Sequence, residues 1–283
     1  MENPSHEHER IAKIEAEKAE YKKIVRQTFQ DVFGDVLDST ELEKKLKHID
    51  DVRFVTPGQM EEIAKANPKD AGALGLIRYE VSDTEVKRYP IVMIGTSRAE
   101  TLHTLLHEST HLMSPEPDFT THPMRKLDEQ TFTDYVGAYK FQRFTGGDKS
   151  VDLDSVPSVF GETEYHNQRF MFWEAVTDWI AADDKVFSDE ELKEIENSGY
   201  FERHLINYLW AQCPDDQGLF RALRESYVQG SEAPLHWFLQ KLTETQDNQM
   251  YDQLLEIMGR IKKDHTQVDD WKAVVNKYFH KTE

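Results

Sequence analysis

Leu105-Leu106-His107-Glu108-Ser109-Thr110-His111-Leu112-Met113 sets two histidines four residues apart inside an apolar helical pattern. Each helical residue rises about 1.5 Å, so residues four apart share one face about 6 Å apart along the axis. That spacing lets two imidazoles grip one Zn²⁺, while Glu108 points beside the metal as a general base for its water. Thr96-Ser97-Arg98-Ala99-Glu100 reads as a capping box that opens this helix, and Ser114-Pro115-Glu116-Pro117 ends it.

Before the motif, residues 6 to 33 are charge-rich, with apolar positions that thicken toward Phe29, Val32 and Phe33. This predicts an amphipathic helix whose first half is solvated. Asp38-Ser39-Thr40 caps a second helix, Val52–Val55 is a short strand, and Thr56-Pro57 opens a third helix. Leu74–Val81 and Glu85–Ile94 read as a β-hairpin. Pro90 cannot donate to a ladder, so the second arm is expected to be an edge strand or to start at the proline. That edge, Ile91–Ile94, is a place where an extended substrate could add as a strand.

After the motif, helices are expected at about 125–144 and 162–182, and everything past Ser188 reads as helices separated by turns. The fold class is α+β, mostly helical. It has a small antiparallel sheet with an edge strand beside the HExxH helix, and a helical C-terminal lobe. The division expected is an N-terminal helical region over 1–50, a catalytic core over 51–187 and a helical C-terminal region over 188–283.

At 38% hydrophobic and 11% aromatic residues, the 283-residue chain can bury a sizeable core. A formal charge of -19 without a basic stripe argues against nucleic acid as partner. Cys213 is the only cysteine, which excludes intrachain disulfides. Neither a signal peptide nor a membrane span is legible, so a cytoplasmic protein is expected, with secretion by a signal-peptide-independent route as the other possibility.

Two histidines leave a catalytic zinc one protein ligand short. A histidine six residues past His111, as another zinc arrangement requires, is absent: Pro117 stands there. Phe172-Trp173-Glu174-Ala175-Val176-Thr177-Asp178-Trp179-Ile180 supplies the better candidate. Glu174 and Asp178 share a face of an otherwise apolar helix, where unpaired carboxylates would be costly. With zinc present, Glu174 is the third ligand and Asp178 accepts the free ring N–H of a ligand histidine. Glu129 is the competing candidate, but its acidic partner Asp134 is five residues on, and Glu174 is favoured for its helical spacing.

HExxH followed by a helix of form E-x-x-T-D resembles the gluzincin metallopeptidases, the thermolysin-like arrangement. The resemblance covers Thr96–Met113 and Phe172–Ile180, and the stretch from His111 to Glu174 is wider than in compact members of that group. It implies His107, His111 and Glu174 as zinc ligands, Glu108 as base, and Asp178 orienting His107. An oxyanion donor is also needed. Tyr165, His166, Tyr135 and Tyr139 are the candidates, with Tyr165 or His166 preferred.

The function expected is zinc-dependent hydrolysis of a peptide bond in a protein or peptide substrate, by a housekeeping protease or a delivered effector. The alternative is a non-catalytic, metal-stabilised binding or scaffolding module, against which the intact Glu108 speaks. A zinc amidase acting on a small molecule is a weaker third. His103 extends the histidine row, but about 12 Å along the axis separates it from His111. It is read as a packed histidine, and Cys213 as a small buried hydrophobe.

Overall fold

The computed structural model describes residues 4–66, 72–81, 86–95, 97–115, 164–182, 185–198, 203–261 and 268–280. The α+β class is as expected: helices dominate, beside one small three-stranded sheet. The chain divides into two compact units. One comprises Met1–Arg78, Arg88–Leu112 and Ala181–Ile195; the other comprises Tyr79–Lys87, Met113–Ile180 and Glu196–Glu283.

The first unit begins with α1 (Pro4–Phe33). Its first half is solvated as the sparse pattern predicts, with Ile11 and Ile14 exposed, whereas Val25, Phe29 and Phe33 are fully buried. In α2 (Ser39–Asp50), the Asp38 side chain accepts from the N–H groups of Thr40 and Glu41, satisfying two donors the helix start leaves open. Arg26 of α1 donates to the Leu46 carbonyl at 3.0 Å and reaches Glu43 at 3.1 Å, tying the two helices together.

The sheet consists of β1 (Arg53–Val55), β2 (Gly75–Val81) and β3 (Val86–Met93), in the order β1-β3-β2. Between β1 and β2 in sequence, α3 (Pro57–Ala66) starts with proline in its first turn, where no N–H is needed. Its Met60 packs with Tyr89 and Ile91, flanked by Val55, Ile63, Leu76 and Met93.

Two expectations about this sheet need correction. It is not purely antiparallel: β1 runs parallel to β3, pairing Arg53 with Ile91 and Val55 with Met93. The proline-bearing strand is central, not an edge. The physical reason lies in which way Pro90 faces. The Ile94 N–H donates to Val55 of β1 and the Met93 N–H to Leu74 on the β2 side. By strand alternation, the nitrogen of residue 90 faces β1. Its partner position there is residue 52, outside β1, so the missing donor breaks no rung. The edge strand beside the HExxH helix is therefore β2, because Gly75 lies directly against Thr104 and Glu108.

The HExxH helix, α4 (Arg98–Met113), buries Leu102, Leu105, Leu106 and Leu112 completely.

The second unit contains α5 (Glu164–Ala181), close to the expected 162–182. α6 (Asp189–Ser198) follows in sequence, and the residues up to Ile195 belong to the first unit. Next in the second unit come α7 (Arg203–Gln212), α8 (Asp216–Gln229), α9 (Ala233–Thr243), α10 (Gln249–Ile261) and α11 (Val268–Phe279). Phe172 of α5 meets Tyr251 edge-on at 5.4 Å, and Trp173 meets Tyr227 at 6.0 Å. Trp271 is fully buried and donates its indole N–H to the Leu205 carbonyl at 3.0 Å. The helix expected near 125–144, with Glu129, Tyr135 and Tyr139, lies outside the described residues.

Candidate metal centre

Local sequence starts α4 where the capping box says it should. The Ser97 hydroxyl accepts from the Glu100 N–H at 3.1 Å, and Thr101 Oγ1 accepts from the Gly95 N–H at 2.9 Å. Acidic residues from α6 reinforce this positive helix end. Glu194 hydrogen-bonds Ser97, and Glu191 pairs with Arg98 at 2.6 Å. The backbone N–H of Ser188 holds the Glu191 carboxyl below its ordinary pKa; burial opposes that shift and Arg98 supports it.

One turn apart on α4, His107 and His111 meet edge to face, with ring centroids 5.0 Å apart. His107 is 7% exposed and His111 half-buried. Their ring nitrogens and a carboxylate oxygen of Glu174 all lie within 4.8 Å of one another. Glu174 is at the border between buried and half-buried. Two imidazoles and one carboxylate are a donor set able to hold a metal ion. Among the described residues this is the group of three or more ligating side chains that can hold an ion. Glu108, which lies between the two histidines in sequence, is half-buried.

His103 is 8% exposed, its ring 6.4 Å from His107 and 6.4 Å from Phe187, and it stands outside the ligand group. Asp178 is fully buried, and Arg203 of α7 lies 3.8 Å from its carboxylate. Arg203 also reaches Glu196 at 4.0 Å. Tyr165 and His166 belong to α5, but their side chains lie outside the described residues. The helix is continuous from Glu164 to Ala181, so their backbones lie about 12–14 Å along its axis from that of Glu174.

Three residues near this centre had no role assigned from the sequence. Gly75 allows β2 to approach Glu108, and a glycine inside a strand pattern is the available signal for such an approach. Lys45 falls in step with Leu42, Leu46 and Ile49 on the buried face of α2, a misplaced charge that helical spacing reveals. Arg203 carries no such mark, because its partner Asp178 stands on another helix, several turns of chain earlier. Compared with protein-family models, with curated proteins and with solved structures, the chain matches none.

Proposed function

We propose that this chain is a zinc-dependent peptidase of gluzincin type, with His107, His111 and Glu174 as ligands and Glu108 as general base. The observation that carries the proposal is the gathering of these three donors within 4.8 Å, although Glu174 stands on a separate helix far downstream of His111. Zinc, when bound, supplies Lewis acidity and lowers the pKa of a water to about 7. Glu108 accepts a proton from the attacking water and delivers it to the leaving amine. Glu108 is half-buried and lies against Gly75 of β2. Beside it, the edge strand β2 offers backbone groups that suit an extended peptide better than a compact amide. Among the described residues, no helix is long and apolar enough to cross a membrane.

Elemental analysis of the purified protein beside Glu174→Ala and Glu129→Ala tests the ligand set. The expected result is one zinc per chain, lost in Glu174→Ala and retained in Glu129→Ala. Glu108→Gln should keep the zinc and lose peptide hydrolysis in a peptide-library assay. A wild type that takes up no zinc, even after incubation with the metal, overturns the proposal and leaves a binding module.

A further inference from the structure

The C-terminal end of α4 is held by more charge than a helix end requires. The Leu112 carbonyl accepts from Arg88 Nη2 at 2.6 Å and from Lys45 Nζ at 3.4 Å. Arg88 comes from β3 and Lys45 from α2, and the two residues are only 2% and 3% exposed. The last carbonyls of a helix lack internal donors and form the negative end of its dipole, so one cation there is favourable. Two cations on one oxygen are different. With legs of 2.6 and 3.4 Å, the two nitrogens stand at most about 6 Å apart. They repel each other, and both have given up hydration. Glu41, at 3.7 Å from Lys45, offsets part of this.

Two other helix ends among the described residues are closed by backbone N–H groups. α8 ends on Gly230 in the left-handed conformation, whose N–H returns to Ser226 and Tyr227. α2 ends with the Asp51 N–H on His48 and Ile49. At the end of α4 the chain runs into Pro115, which has no N–H to return to the His111 carbonyl. Packing holds His107, which is buried, more firmly than half-buried His111. The placement of His111 therefore depends on its backbone, and Leu112 is the next residue.

We propose that Arg88 and Lys45 are positioning residues of the metal centre: by clamping the Leu112 carbonyl they fix the last turn of α4 and, through it, the His111 imidazole. The proposal rests on the zinc reading of the site. It assigns to two buried cations, on elements that carry none of the ligands, a measurable share of metal affinity.

The test titrates metal-free protein with Zn²⁺ against a competing chelator dye and records the absorption spectrum of the Co²⁺-loaded form. Thermal unfolding of the metal-free protein is followed in parallel. Arg88→Met should weaken zinc binding by about 10- to 100-fold and shift the cobalt bands. Arg88→Lys, which keeps a buried cation, should recover most of the affinity. Lys45→Met, which removes the longer hydrogen bond, should act in the same direction to a smaller extent, and it carries the test if Arg88→Met does not fold. Folded variants with wild-type zinc affinity and an unchanged cobalt spectrum, even at a lower melting temperature, overturn the proposal and make the pair a helix cap alone. A wild type that binds neither metal removes the zinc reading and this inference together. Wild-type binding with unaffected variants removes only this one.

Discussion

A methyl group on Gly75 would stand 2.5 Å from Cγ of Glu108, with Oε1 of the same side chain and the Thr104 methyl each at 2.8 Å. Its φ is not in the left-handed region, so it is space and not backbone conformation that requires glycine here. The edge strand thus runs directly against the proposed general base. Gly75→Ala should turn the Glu108 side chain aside while leaving the ligands in place. Zinc content should stay at the wild-type level while peptide hydrolysis falls by about 100-fold, the low end of what a general base contributes. Metal analysis and a peptide-library assay on the same sample check both halves.

The Asp178–Arg203 ion pair is buried on both sides, with side chains 1% and 4% exposed. Removing Arg203 takes away a cation that offsets the buried Asp178 carboxylate. Arg203→Met should destabilise the protein by about 3 kcal/mol in urea unfolding. Asp178→Asn in the Arg203→Met background should restore part of that loss, because the buried negative charge is gone. Additive losses would show that the two groups do not compensate each other.

The α6–α4 junction should weaken in acid. Folding lowers the Glu191 pKa from its ordinary 4.5, first through the Ser188 N–H and with help from Arg98. A depressed carboxyl pKa stabilises the folded state fully above the unfolded value, and that contribution is lost as pH falls through the folded value. Urea midpoints of the wild type should therefore fall below about pH 4.5. Glu191→Gln should show a shallower fall over the same range and a lower midpoint at neutral pH.

Cys213 should be slow to react in the native protein. Burial pushes its thiol up to about 11, and its S–H is directed to the Asp215 carbonyl at 3.3 Å. At pH 8 little thiolate exists, so labelling by a disulfide reagent should be slow when folded and fast in urea. Rapid native labelling would show that this turn opens readily.

Much of the local structure was legible because its causes are local. Asp38 and Ser97 cap the helices they precede through hydrogen bonds spanning two or three residues. Pro57 opens α3, and the sparse apolar positions of α1 are solvated where they are sparse. Pro90 misled for an equally specific reason. Proline excludes a donor, but whether a donor is wanted depends on which neighbour faces that nitrogen. That neighbour, β1, comes from much earlier in the chain and starts one position short of the proline's level.

The sequence by itself determined that a helix carries His107 and His111 on one face with Glu108 on the neighbouring one, because helical pitch alone places them. It also determined that Glu174 and Asp178 share a face of a second helix. Only the tertiary structure decided that Glu174 joins the two histidines, that Arg203 stands beside Asp178, and that Arg88 and Lys45 converge on Leu112. The physical reason is range: periodicity and capping act within a turn or two of chain. A ligand on a distant helix, or a buried cation as far along the chain as Lys45 is from Leu112, is placed by which apolar faces pack together, a property of the whole core.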